Sequence, residues 1–320
     1  MDVRVGAVDC GTNSIRLLIA DVVAGRLHDV HREMRIVRLG EGVDATGEFA
    51  PAALARTETA LSDYATVMRE SGVQRVRMVA TSAARDAANR DEFFAMTARL
   101  LGEVVSGAVA EVISGTEEAE LSFRGAVGEL DPAAGPFVVV DLGGGSTEVV
   151  LGSAVVDASY SADIGCVRIK ERCLHTDPPT AAEIGEARAT VRERLAEALA
   201  EVPVGRARMW VGVAGTFTTL AALALGLQDY DPDVIHLSRT GFGDLLAMCD
   251  SLIRMTAAER LALGPMHEGR ADVIVGGAII VEELAAVLGE LAGIDELVVS
   301  EHDILDGIAL SIADVRSETS

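Results

Sequence analysis

Val138–Gly152 reads VVVDLGGGSTEVVLG. An apolar run of the kind buried on both faces of a sheet ends in a carboxylate, Asp141. Three glycines and a serine follow, and a second carboxylate, Glu148, opens the next apolar run. The same device stands once before, at Gly6–Asp21, GAVDCGTNSIRLLIAD. Asp9 and Asp141, Gly11 and Gly143, and Ser14 and Ser146 each lie 132 positions apart, and at that offset Arg16 answers to Glu148. A tight turn between strands needs glycine, but it does not need an aspartate at its mouth, which is costly to bury unless paired or metal-bound. The repeat therefore predicts two similar α/β domains facing each other across a cleft.

The rest of the chain fits that division. Strands are expected at 3–8, 15–21, 27–30, 35–39, 75–82 and 108–114, with helices from Pro51, over 90–102 and from about 116. Leu54, Leu61, Ala65 and Met68 share one face of the helix from Pro51. The cluster GELDPAAGP (128–136) is the best boundary. We expect an N-terminal domain of 1–127, joined by a returning helix at 303–315, and a C-terminal domain of 128–302. The second half restarts with FVVVD, has a long charged helix after HTDPPT (175–180), and is mostly helical over 241–292. The terminal SETS is expected to fray.

Composition narrows the partners. Fifty acidic residues against 27 basic ones leave a formal charge of −23, which repels nucleic acid and anionic lipid. An anionic substrate needs a local cluster of donors. Lys170 is the sole lysine, so arginine carries almost all cationic binding, which suits bidentate oxyanion contacts. The four cysteines form no CxxC pair or zinc-ligand spacing, and no apolar leader precedes Asp9. The uncharged stretch Met209–Gln228 approaches membrane-spanning length, but its glycines and threonines read better as strand, turn and helix. A cytoplasmic protein, with no membrane and no nucleic-acid partner, is expected.

Four places carry chemistry. In DLGGGSTE (141–148), the amides of Gly143, Gly144, Gly145 and Ser146 are suited to cradle phosphate oxygens, and Asp141 with Glu148 offers hard oxygen ligands for Mg²⁺. No GxGxxG or Walker spacing is present. In DCGTNSIR (9–16), Thr12, Asn13 and Ser14 add side-chain donors and Arg16 a cation. Arg85, after ATSA, stands with Thr81 and Ser82 near a helix start that attracts anions, as Gly215 and Thr216 do in GVAGTFTTL. In VISGTEEAEL (112–121), Ser114 and Glu117 read as a capping box that turns Glu117 back to the helix start. That leaves Glu118 free to activate water, although spacing alone equally describes a solvated helix face. HDVH (28–31) has too few ligands for a metal, and His302 with Asp303 reads either as a cap or as lining of the cleft.

DCGTNSIRLLIAD, ATSAARDA, VISGTEEAEL, VVVDLGGGSTEVV and GVAGTFTTLAAL, in that order, strongly resemble the exopolyphosphatase / guanosine pentaphosphate phosphohydrolase family, of the actin, sugar kinase and heat-shock ATPase superfamily. The resemblance covers about residues 4–312. It implies two ribonuclease H-like domains flanking a cleft, and Mg²⁺-dependent release of a terminal phosphate, with Mn²⁺ as an alternative ion. It implies Glu118 as the catalytic base, Asp141 and Glu148 as metal ligands, and phosphate-binding roles for Asn13, Arg85, Gly144, Gly145 and Ser146, with the third glycine turn at Gly215 and Thr216. Implied partners are inorganic polyphosphate or guanosine pentaphosphate, ADP or ATP as further ligands, and a second copy of the chain in a homodimer. Many relatives carry a further HD-like helical domain, and this chain ends before one begins. Cys10 stands where leucine or isoleucine is frequent, and GVAGT replaces the commoner GxSGT. The expected activity is exopolyphosphatase, with guanosine pentaphosphate hydrolysis, an actin-fold kinase and a non-enzymatic nucleotide sensor as alternatives.

Overall fold

The computed structural model describes residues 3–314, so the SETS tail and residue 315 of the expected last helix lie outside the described residues. The chain forms two compact units, one running to Gly125 and resuming at Ile304, the other comprising Ala126–Asp303.

The first unit has strands β1 (Val3–Cys10), β2 (Ser14–Val23), β3 (Arg26–Ile36), β4 (Arg75–Ala80) and β5 (Glu111–Val112), in the order β3-β2-β1-β4-β5. The second has β6 (Phe137–Leu142), β7 (Thr147–Gly152), β8 (Val156–Ala162), β9 (Met209–Val213), β10 (Ser238–Gly241) and β11 (Glu296–Val299), in the order β10-β11-β9-β6-β7-β8. Without its edge strand β10, the second sheet repeats the first. Strand register carries the repeat down to single residues: β1 pairs Asp9 with Arg16, and β6 pairs Asp141 with Glu148, both antiparallel.

Alternation along these strands decides where the carboxylates go. In the first unit, Val3, Val5 and Ala7 join Leu18, Ala20 and the helix Ile304–Asp314 in one apolar cluster, while Val8 and Cys10 pack on the opposite face. Asp9 therefore continues the face that carries Ile304, Ile308 and Leu121. Helices Ile304–Asp314 and Gly115–Ala126 approach closely at Gly307, where a Cβ would stand 2.6 Å from the Leu121 carbonyl carbon. In the second unit, Val138, Val140 and Leu142 join the helix-packed core, which places Val139 and Asp141 on the other face, with Glu148 and Val150.

Several expected elements change. The segments at 27–30 and 35–39 are one strand only as far as Ile36. Beyond it the Val37 and Arg38 amides donate to the Asn13 carbonyl (3.1 and 2.8 Å) instead of to a ladder. The strand expected at 108–114 shrinks to Glu111–Val112, because the Ala110 amide turns to the Thr97 hydroxyl (3.3 Å). The strand from 75 stops at Ala80, and Ser82 opens a short helix to Asp86. Edge strand β10, SRTG, carries too little apolar pattern to be read from sequence. Met209–Gln228 resolves into β9 and the helix Gly215–Ala224, and no helix among the described residues is long and apolar enough to cross a membrane.

Candidate active site

The two glycine turns are closed by the same bond: Gly11 N–H to Ser14 O at 2.9 Å, and Gly143 N–H to Ser146 O at 3.0 Å. Behind each turn another segment takes up its carbonyls. In the first unit Val37 and Arg38 donate to Asn13 O, and Gly40 donates to Thr12 O (2.9 Å). In the second, Cys166 donates to Gly143 O (3.0 Å), Val167 and Arg168 donate to Gly144 O (2.9 and 3.0 Å), and Arg168 Nε donates to Gly145 O (2.7 Å). These donors come from the first turn of the helix Cys166–Cys173, which spends its unpaired N–H groups on the loop. With its carbonyls held that way, the loop's amides at Gly144, Gly145 and Ser146 pair with no backbone carbonyl among the described residues, the arrangement of an anion nest. A glycine backs each turn: Gly40 lies against the Thr12 side chain, and Gly165 against the backbone of Gly144 and Gly145. Neither Gly40, Gly165 nor Arg168 was legible as a site residue, since each acts through the chain fold and not through a motif.

Glu118 is not on a solvated face. It is 7% exposed, on the first turn of Gly115–Ala126. Ser114 caps that helix as expected, its Oγ accepting from Glu117 N–H (3.1 Å), but the Glu117 carboxylate does not return to the cap. Arg77 on β4 takes it instead, at 2.5 Å. Arg85 donates to Glu118 Oε2 at 2.6 Å and to Ile113 O at 3.1 Å. Burial lifts the Glu118 carboxyl to about 7 and Asp9 adds to the rise, while the Arg85 guanidinium and the Thr81 hydroxyl pull the other way. Burial prevails, which holds a carboxylate where a general base works best near neutral pH.

Asp9, absent from the sequence-derived site, anchors Arg16. The Arg16 Nε and Nη2 donate to Asp9 Oδ2 at 3.0 and 2.7 Å. In the second unit the corresponding pair is two acids. Asp141 (7% exposed) and Glu148 (1%) are direct cross-strand neighbours, which brings side chains within about 5 Å at Cβ. Ser161 on β8 donates to Glu148 Oε1 at 2.7 Å. Two buried carboxylates side by side, beside a nest of amides, match the hard-oxygen donor set that Mg²⁺ takes.

The third turn has a cation that the sequence reading did not name. A Cβ on Gly215 would lie 2.8 Å from Arg270 Nε, and Arg270 Nη1 donates to the Thr219 hydroxyl at 2.8 Å. Thr216 is buried at the same helix start. Ala214, just before it, has φ 71 and ψ 175, a region that is nearly glycine-only and costs roughly 1–3 kcal/mol for other residues. Replacing Ala214→Gly is expected to raise stability by about 1 kcal/mol after the flexibility penalty of glycine, read as a higher urea midpoint. An unchanged or lower midpoint would show that no strain is stored there.

The chain is similar to known proteins along nearly its whole length. The chain is 68% identical over 314 residues to Exopolyphosphatase 2 of Mycobacterium tuberculosis, covering 97% of this chain and 98% of that protein. A crystal structure described as an exopolyphosphatase-like protein superposes with a TM-score of 0.91 at 45% identity over 97% of both chains. An exopolyphosphatase from Cytophaga hutchinsonii does so at 0.85 and 28% identity over 98% of both. The model of the Ppx/GppA phosphatase family matches residues 18–312, and the chain belongs to that family.

Proposed function

We propose that this protein is an exopolyphosphatase that removes the terminal phosphate of inorganic polyphosphate with a water activated by Glu118. The observation that carries the reading is Glu118 itself: a buried carboxyl at about 7, held by Arg85 and Thr81. Glu118 takes a proton from water as the water oxygen bonds to the terminal phosphorus. The bond from that phosphorus to the bridging oxygen breaks, releasing orthophosphate and a chain shorter by one unit. The nest at Gly143–Ser146 binds phosphate oxygens, and Thr12, Asn13, Ser14, Arg16 and Arg85 supply further donors. Arg85 also positions the base. Gly215 and Thr216, with Arg270, offer a place for a further phosphate of the chain or for the phosphates of ADP or ATP. Asp141 and Glu148 are the residues that would hold Mg²⁺, or Mn²⁺ in its place. Such an ion, when bound, neutralises charge on the transferred phosphoryl group. Four free, buried cysteines support a reducing, cytoplasmic setting.

The test is phosphate release from long polyphosphate, short polyphosphate, guanosine pentaphosphate and ATP, with and without Mg²⁺. Polyphosphate is expected to be preferred, and release to need the ion. A preference for guanosine pentaphosphate by about tenfold or more, some 1.4 kcal/mol in the barrier, would overturn the substrate assignment. The pH profile gives a separate check. The base must be ionised, so activity should rise with pH through a limb near 7. Arg85→Gln removes the largest downward influence, so its limb should move to higher pH, whatever happens to the maximal rate. A limb in the ordinary carboxylate range, or one that Arg85→Gln shifts downward, would count against Glu118 as base.

A further inference from the structure

We propose that Glu129, His236 and His302 form a second metal site, selective for a zinc-class transition ion and separate from the carboxylate pair Asp141 and Glu148. The sheet brings these residues together. Strands β10 and β11 are antiparallel, with Ser238 opposite Val299, and the Leu237 amide donates to Val299 O at 2.7 Å. Continuing that register past the strand ends sets His236 beside the turn holding Glu301 and His302. The two imidazoles lie with centroids 4.5 Å apart, tilted by 38°. Glu129, just beyond the helix Gly115–Ala126, reaches both rings: Oε2 is 3.2 Å from His236 Nε2 and Oε1 is 3.6 Å from His302 Nδ1. Among the described residues, this is the one group of three or more His, Cys, Asp or Glu side chains whose ligand atoms converge, all within 4.8 Å.

Donor chemistry sets the ion. Two imidazole nitrogens and one carboxylate suit zinc, cobalt or nickel, whereas Mg²⁺ takes oxygen ligands. Three protein ligands leave a fourth position for water. The surroundings hold the turn: the His302 amide donates to Ser300 Oγ (3.1 Å), Ser300 Oγ donates back to His302 O (2.8 Å), and the Tyr230 hydroxyl donates to Glu301 Oε1 (2.5 Å). One contact sets the cost of loading. The Glu301 amide donates to His236 Nδ1 at 3.2 Å, so the neutral ring carries its proton on Nε2, toward Glu129. Coordination through Nε2 moves that proton to Nδ1, and the Glu301 N–H must turn away. Metal binding is thus linked to a rearrangement of the turn at 300–302, and its affinity lies below that of a preformed structural zinc site. An ion here ties the opening segment of the second unit, at Glu129, to its closing segment, at His302.

The test uses the chelator-treated full chain with Mg²⁺ in excess throughout, so that hard-oxygen sites are filled, and titrates Co²⁺ while recording visible absorption. One equivalent of Co²⁺ should give d–d bands, which Zn²⁺ abolishes and further Mg²⁺ does not. His302→Gln and Glu129→Gln should each weaken binding by roughly 10- to 100-fold, at least the scale of losing a ligand's support. His31→Gln, on β3, should leave it unchanged. Melting curves confirm that each variant is folded, and Glu129, being exposed, provides a variant with little folding risk. The amide resonance of Glu301 should shift on loading. Absence of a one-equivalent site, binding that survives both His302→Gln and Glu129→Gln, or equal loss in His31→Gln would overturn the proposal.

Discussion

Glu118→Gln should lower phosphate release by about 10³-fold or more while leaving substrate affinity within a few-fold. Amide and carboxylate have the same shape, and only the amide cannot take the proton of water; a positioned base contributes on the order of 10²–10⁴. Binding survives because the amide nest at Gly144–Ser146 and the donors of residues 12–16 do not depend on the Glu118 charge; of the groups assigned to phosphate, only Arg85 pairs with it. The same substitution should make the protein more stable at neutral and alkaline pH. The folded-state carboxyl is raised above its unfolded value, to about 7. The wild-type chain therefore binds the proton more tightly when folded, and it loses stability as pH rises from the ordinary carboxylate range through 7. Glutamine mimics the protonated form at every pH. The gap between variant and wild type should open over that window and reach on the order of 3 kcal/mol above it. Rate loss without this stability gain would mean that Glu118 ionises freely and that burial does not tune it. Near-normal release would remove Glu118 from the mechanism altogether.

How much of this was readable beforehand depends on the range of the interaction. The repeated Asp-Gly-Ser spacing was enough to predict the two sheets, because residues 132 apart fall on equivalent strand pairs, and Asp9 opposite Arg16 reappears as Asp141 opposite Glu148. The helix of Glu118 and its Ser114 cap were legible for the same reason: capping is local. Glu117 was misread because the partner that wins it, Arg77, lies 40 residues away on β4. Burial of Glu118, which decides its chemistry, is likewise a tertiary fact: Asp9 meets it from β1, and Thr81 and Arg85 from the cap and the body of the short helix after β4. Strands β5 and β10 are only two and four residues long, too short for a period-2 pattern to assert itself. The residues behind the turns left no local mark at all.

Gly165 is the clearest of these, and Gly165→Ala should lower kcat/KM by about 100-fold without unfolding the protein. Its backbone is extended, φ −160 and ψ 164, which alanine adopts freely, so conformational strain is not the cause. Space is the cause. An added Cβ would stand 2.6 Å from Gly145 N and closer still to the Gly144 carbonyl, and these are backbone atoms that no rotamer change can clear. Nor can the loop slide away unaided, because the amides of Cys166, Val167 and Arg168 and the Arg168 guanidinium grip its carbonyls. Loop and helix must shift together, at about 1–3 kcal/mol of overpacking, and a displacement near 1 Å in groups that position a phosphoryl costs about 10² in rate. Gly40→Ala provides the contrast. In the equivalent place of the first unit, its Cβ would meet the Thr12 side chain and, at 3.1 Å, the Ala83 Cβ, and a threonine methyl can rotate aside. Its loss should be about tenfold smaller on the same positional argument. The pH limb near 7 should stay in place in Gly165→Ala, because the neighbours that set the Glu118 carboxyl (Arg85, Asp9 and Thr81) belong to the first unit. Wild-type kcat/KM in Gly165→Ala would show that the glycine loop at 143–146 is not the surface on which phosphate is held.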